Sequence, residues 1–200
     1  MQVLVVVGSM RERSTTRHAL AIAAQGAFEA GARVDWADLK DLALPFCDGR
    51  TDRDAYGPAV TRWRERIRST DAFLVGSPEY WGSMTGSLKN AIDLLEAEAF
   101  HGKMVGLLAV ARGDAGAMNT LNQLRHVFRW MGAWVLPTQV SIPRAREAFD
   151  EEGRAVRPGL EEELLGLGRE VVRYARLLAG NGHAPAGTRG EGVPPGPGPK

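Results

Sequence analysis

Three short apolar runs limit what this chain can fold into more than any other feature. QVLVVV (2–7), DAFLVGS (71–77) and KMVGLLAVA (103–111) carry apolar residues on successive positions rather than on alternate ones. A strand with one wet face alternates, so an uninterrupted run of this length fits a strand covered on both faces. Each run is followed by a segment of helical periodicity. Leu20, Ala23, Ala24, Ala27 and Phe28 recur within 15–30, and Gly31 closes that helix. Val60, Trp63 and Ile67 mark a second helix at 58–69, and Leu88, Ile92 and Leu95 a third at 87–99. Two more span 117–131 and 159–178, the last with acids early and arginines late, the order a helix dipole favours. ARVDWADL (32–39) alternates as the second strand in chain order. AWVLPTQVSI (133–142) is the fifth, with Pro137 demoting its second half to an edge or an extension. Strands alternating with helices predict a parallel sheet covered by helices on both faces.

Two hundred residues, 44% of them hydrophobic, suit one domain with a full core. The boundary of that domain is expected near residue 180. Residues 181–200 hold Gly or Pro at more than half their positions and only Val193 as a large apolar side chain, which predicts a disordered tail. A formal net charge of +1 gives no reason to expect a nucleic-acid partner. RWRERIRSTD reads as a solvated helix face. Cys47 is the only cysteine, and the four His (18, 101, 126 and 183) lack the short pair spacings of zinc sites, so no metal centre is expected. The apolar run Val3 to Val7 is too short for a signal-peptide core or a membrane span. A cytoplasmic protein without a membrane partner is the expectation.

In an open α/β sheet, ligands lie beyond the carboxyl ends of the strands, where strand order reverses. For five strands ordered 2-1-3-4-5, that crevice lies between strands 1 and 3. The two loops flanking it are the chemically unusual ones. GSMRERSTTRHAL brings Gly8 for a close turn, the hydroxyls of Ser9, Ser14, Thr15 and Thr16, and Arg11, Arg13 and Arg17 to a helix start. Unpaired N–H groups there form an anion site, which arginines strengthen. A simple cap by Ser14 or Thr15, with the arginines in water, explains the same residues. PEYWGSMTGS follows strand 3: Pro78 keeps Ser77 extended, Glu79 to Gly82 expose backbone donors and acceptors, and Tyr80 and Trp81 offer flat surfaces. That combination suits a planar heteroaromatic ring, although packing against a neighbouring helix or subunit would also use the aromatics. Ser87 is placed to cap the next helix. ARGDAGAMN after strand 4 has Gly113 and Gly116, which allow a ligand to approach the backbone and equally make an ordinary turn. Neither G-x-G-x-x-G nor G-x-x-x-x-G-K-[ST] occurs, which tells against a Rossmann dehydrogenase or a nucleotide hydrolase.

GSMRERSTTR after strand 1, together with PEYWGSMTGSLKNAID after strand 3, resembles the NADPH-dependent FMN reductase family of flavodoxin-like proteins. The likeness covers most of 1–145, including the loop at 111–116 and the segment NTLNQLRHVFRWMGAWVLP. It implies a flavodoxin-like doubly wound five-stranded sheet and FMN held without a covalent link. Ser9, Arg11, Ser14, Thr15 and Thr16 match the family's phosphate loop. Pro78, Glu79, Tyr80, Trp81, Gly82 and Ser83 match its isoalloxazine loop. Ala111, Arg112, Gly113 and Gly116 match the loop that approaches the ring from the other side. At position 81 the family more often has Asn or His, and its 112–114 is often richer in glycine; both departures bear on the substrate pocket.

The resemblance implies NAD(P)H oxidation by a ping-pong route, with a quinone, flavin, azo compound or metal oxyanion as small-molecule acceptor. The flavin carries that chemistry, so no catalytic acid or base is nominated. Arg11, Arg13 and Arg112 can each meet a 2′-phosphate, and the spacing does not select between NADPH and NADH. Homodimers or homotetramers are implied too, with the neighbour's helices lining the site. Met118, Phe128, Trp130, Met131 and Trp134 suit such an interface and suit a core equally well. Two other classes compete: an FMN electron carrier that does not oxidise NAD(P)H, and a flavin-free interaction domain that kept the fold.

Overall fold

The computed structural model describes residues 1–50, 52 and 54–180. The tail expected at 181–200 lies outside the described residues. Five parallel strands form one sheet in the order β2-β1-β3-β4-β5, as expected. They are β1 (Gln2–Val7), β2 (Arg33–Asp38), β3 (Ala72–Pro78), β4 (Met104–Val110) and β5 (Trp134–Ile142). The helices are α1 (Thr15–Glu29), α2 (Pro58–Arg68), α3 (Gly86–Asp93), α4 (Met118–Trp130) and α5 (Leu160–Gly180).

The continuous apolar runs do what they predicted. Every residue of β3 and β4 is buried. In β1, successive side chains serve opposite faces: Val3, Val5 and Val7 pack with α1 and α5, while Leu4 and Val6 pack with α2, α3 and α4. Gly26 of α1 and Gly168 of α5 let these two helices approach so closely that a side chain at either would strike the facing backbone. On the other face Phe73, Phe100 and Phe128 stack edge-on, with centroids 4.8 and 4.9 Å apart. Phe128 therefore belongs to the core. Met118, Trp130 and Trp134 of the same region are exposed.

Several local expectations change. α3 stops at Asp93, well short of 99. Its last carbonyls are taken from outside: Trp63 Nε1 donates to the carbonyl of Ala91 at 2.8 Å, and Arg64 Nε to that of Leu94 at 2.9 Å. Arg64 is consequently buried, so the RWRERIRSTD segment is not a uniformly solvated face. α5 runs to Gly180, which leaves its arginines inside the helix rather than in its last turn. β5 is an edge strand, as Pro137 suggested, and it keeps pairing past that residue to Ile142 with its register against β4 shifted between Val105 and Leu107. Arg125 of α4 fills the gap, donating to the carbonyls of Leu136 (2.8 Å) and Pro137 (3.3 Å).

At the amino end of β4, Lys103 is buried and its Nζ donates to the carbonyls of Ile67 (2.7 Å) and Arg68 (3.0 Å) at the end of α2. Burial pushes this ammonium down to about 8. Among the described residues, no helix is long and apolar enough to cross a membrane.

Candidate active site

The crevice beyond β1 and β3 is built by loops that are tied to one another. β1 is followed at once by Gly8, whose N–H donates to the carbonyl of Gly76 at 2.8 Å. A Cβ at this position would lie 2.8 Å from that carbonyl oxygen, so the close approach needs glycine. The Gly8 carbonyl in turn accepts from Thr85 Oγ1 at 2.6 Å, with Ser87 Oγ at 3.1 Å. Thr85, not Ser87, caps α3, its Oγ1 accepting from the N–H of Leu88 at 3.2 Å. The Thr85 N–H rests on Ser77 Oγ at 3.1 Å. The first two loops thus share one hydrogen-bonded seam.

Ser14 caps α1 by accepting from the N–H of Arg17 at 3.3 Å. The N–H groups of Thr15 and Thr16, the first two of the helix, have no intrahelical acceptor. Ser9, Ser14 and Thr16 are buried, Thr15 is half-buried, and Arg11 and Arg13 are exposed. Arg17 is occupied elsewhere. Its Nε and Nη2 face Asp38 Oδ2 at 2.7 and 2.5 Å, and its Nη1 donates to the carbonyls of Arg11 and Glu12 at 3.2 and 3.0 Å. It braces the loop instead of reaching into it. A second tie joins Lys40 to Glu12 at 3.1 Å.

After β3 the chain stays in the sheet one residue longer than expected: Pro78 pairs with Val110, and the Glu79 N–H donates to the Val110 carbonyl at 2.8 Å. The Glu79 carboxylate turns to the start of α4, where Oε2 accepts from the N–H of Thr120 at 3.1 Å. α4 has no side-chain cap of its own, so Glu79 supplies one and meets the positive end of the dipole. Tyr80 to Ser83 then close a tight turn, exchanging backbone hydrogen bonds at 2.8 and 3.1 Å. Trp81 and Gly82 both have positive φ, +55° and +74°, the mark of a type I′ turn. Asn-Gly is the usual pair there; a bulky side chain in the left-handed region costs about 1–2 kcal/mol. Gln123 of α4 clamps the turn, donating from Nε2 to the Gly82 carbonyl (3.0 Å) and accepting from Ser83 Oγ (2.5 Å). Tyr80 is exposed, and Trp81 is fully so at 105%.

The third loop is anchored on β5. The Ala111 N–H donates to the Ile142 carbonyl at 2.9 Å, and the Arg144 N–H to that of Gly113 at 3.2 Å. Ala111 is buried, whereas Arg112 and Gly113 are exposed. Gly116 has φ +72° and sits against Ser141, whose Oγ accepts from the N–H of Ala117 at 2.9 Å. The fold therefore gathers all three expected segments at one end of the sheet. Four residues that organise them had not been singled out: Asp38, Thr85, Thr120 and Gln123. Thr85 stands three positions before Leu88, a readable capping signal; the other three act across long stretches of chain that no local pattern connects.

A parallel sheet of this order, with a Ser-capped helix N-terminus after β1 and a clamped turn after β3, defines the flavodoxin-like class. Residues 1–147 match the family model described as NADPH-dependent FMN reductase. An NAD(P)H-dependent FMN reductase of Pseudomonas aeruginosa is 35% identical over 90% of this chain and 98% of its own. An NADPH azoreductase of a Bacillus species is 32% identical over 70% of this chain and 80% of its own. Among solved structures, the flavoenzyme NAD(P)H:(acceptor) oxidoreductase of Paracoccus denitrificans superposes with a TM-score of 0.72 at 24% identity, over 88% of this chain and 97% of that one. The chain belongs to the NADPH-dependent FMN reductase family, as a flavodoxin-like oxidoreductase that uses FMN with NAD(P)H. The carrier and flavin-free alternatives are set aside.

The residues present fit FMN. A backbone approach that only Gly8 allows, a capped helix with free leading N–H groups, and the Ser9, Ser14 and Thr15 hydroxyls make a donor set for a phosphate.

Proposed function

We propose that this chain takes two electrons from NAD(P)H and delivers them to a planar aromatic acceptor of the quinone, flavin or azo type, with donor and acceptor using the same opening in turn. Bound FMN would supply the hydride chemistry. In this reading Ser9, Ser14, Thr15, Thr16 and Arg11 hold the phosphate at the start of α1. The backbone of Glu79 to Ser83, with Pro78 fixing its exit from β3, meets the edge of the ring. Ala111 to Gly116, including Arg112 and Gly113, form the opposite wall. Fixed N–H groups along these walls favour an electron-rich ring without having to reorganise. Glu79 is assigned a capping role on α4 and no acid–base role.

The observation that carries this reading is the pairing, across the β1/β3 switch point, of a helix N-terminus whose first two N–H groups lack intrahelical acceptors with a clamped turn. The test is direct. Purified protein is saturated with FMN, freed of excess and examined by visible absorption. The retained flavin should bleach with NADPH or NADH in the absence of oxygen and recover on adding a quinone. A protein that retains no flavin would overturn the proposal.

A homodimer or homotetramer in the cytoplasm completes the reading. Exposed Met118, Trp130 and Trp134 supply apolar surface that a second copy can cover. Sedimentation of the FMN-loaded protein tests it, and a monomer at micromolar concentration would sink that part.

A further inference from the structure

Trp81 combines two features that rarely coexist in one residue. Its φ of +55° belongs to Asn or Gly, and its indole is as exposed as in an isolated peptide. Backbone strain held by surrounding structure points to function when an actual outlier carries it. Here the restraint is explicit. Gln123 grips Gly82 and Ser83, Tyr80 pairs with Ser83, and Glu79 is fastened to α4. The turn is a rigid mount, and what it mounts is a bare aromatic plane.

The surroundings narrow what that plane can meet. The seam between the first two loops is polar, with the Thr85 and Ser87 hydroxyls on the Gly8 carbonyl. Met10 of the first loop and Tyr80 of the turn add exposed apolar surface to these two loops. Away from the crevice, the neighbouring surface of α4 is Asn119, Asn122 and Gln123. A subunit interface buries about 800 Å² per partner around an apolar centre. A short apolar strip backed by amides suits a small planar molecule better.

Resting on the reductase reading above, we propose that Trp81 is a specificity-determining residue. Its indole stacks on planar aromatic electron acceptors at the mouth of the crevice, and favours them over small inorganic acceptors. The contact is non-covalent and adds no step to the electron transfer.

The test uses FMN-loaded protein, menadione as planar acceptor and ferricyanide as non-stacking acceptor, with Trp81→Asn and Trp81→Phe. Trp81→Asn should lower the ratio of kcat/KM for menadione to that for ferricyanide by about tenfold, equivalent to ~1.4 kcal/mol. Trp81→Phe, which keeps a ring, should hold the ratio within about threefold. Without NAD(P)H, menadione should quench wild-type tryptophan fluorescence saturably, and Trp81→Phe should lack that component. An unchanged ratio in Trp81→Asn, or equal quenching in wild type and Trp81→Phe, overturns the proposal. So does a change in sedimenting mass on Trp81→Asn, which would assign the indole to a subunit contact. A wild-type protein that retains no FMN overturns the reductase reading itself, and that is seen before any variant is compared.

Discussion

The carboxylate of Glu79, at the exit of β3, accepts a hydrogen bond from the backbone N–H of Thr120 in the first turn of α4 at 3.1 Å. This one contact ties the start of the turn that follows to α4 and gives the most conspicuous acid of the crevice a structural role. Glu79→Ala should destabilise the fold by about 1 kcal/mol, the usual cost of a lost cap. That corresponds to roughly 2–4 °C in Tm for a chain of this size. The pH dependence of kcat should be unchanged. Calorimetry and a pH–rate profile check the two halves, and a vanished limb in the profile would restore Glu79 as a base.

Gly8 has no room for a side chain, because its Cβ would meet the Gly76 carbonyl at 2.8 Å and Leu88 at 3.1 Å. Gly8→Ala should therefore force β1 and β3 apart at the mouth of the crevice. We expect a loss of about 1–3 kcal/mol in urea unfolding, together with weaker FMN binding in a fluorescence titration. Stability and affinity both at wild-type level would show that the strands can part freely.

Arg17 and Asp38 should behave as a unit. Arg17 also carries the carbonyls of Arg11 and Glu12, so removing it frees the whole loop. In a double-mutant cycle of Arg17→Met with Asp38→Asn, unfolding energies should be non-additive by about 1 kcal/mol. Both single variants should raise the Kd for FMN. Additive stabilities would mean that the pair holds nothing jointly.

Lys103 gives the fold a signature at alkaline pH. Its pKa in the folded chain is about 8, below the ordinary 10.5, because burial disfavours the charge. Between those values the unfolded chain binds the proton more, so stability gains from this residue as pH rises from about 8 to 10.5. Below pH 8 it contributes no slope. The stability of wild type minus that of Lys103→Met should therefore climb across this window and stay flat beneath it. Urea unfolding of the two proteins at a series of pH values measures the difference.

Most of the fold was readable because its signals are local. β1 was delimited to the residue by QVLVVV and the Gly8-Ser9 that stops it. The same holds for the α1 start, which Ser14 marks. Long-range contacts were not readable in the same way. α3 ends early because Trp63 and Arg64, some 30 residues back, take its carbonyls, and no pattern within 87–99 announces that. The turn at Trp81 and Gly82 was not legible either, since type I′ is recognised by Asn-Gly and Trp81 stands where Asn would. Arg17 illustrates the same limit: beside a helix start it could serve an anion or lie in water, and only its partner Asp38, 21 residues on, gives it a third role.

The register shift around Pro137 has a bearing on how copies of this protein can meet. β5 is an outer strand, and such strands ordinarily offer a ladder on which a foreign strand can add. Here one rung lacks its N–H, and the carbonyls of Leu136 and Pro137 already receive Arg125. Sheet growth through this edge is interrupted at its middle. A neighbour that docks on this flank must do so through side chains such as Trp134, which permits a closed assembly while discouraging an open-ended fibre.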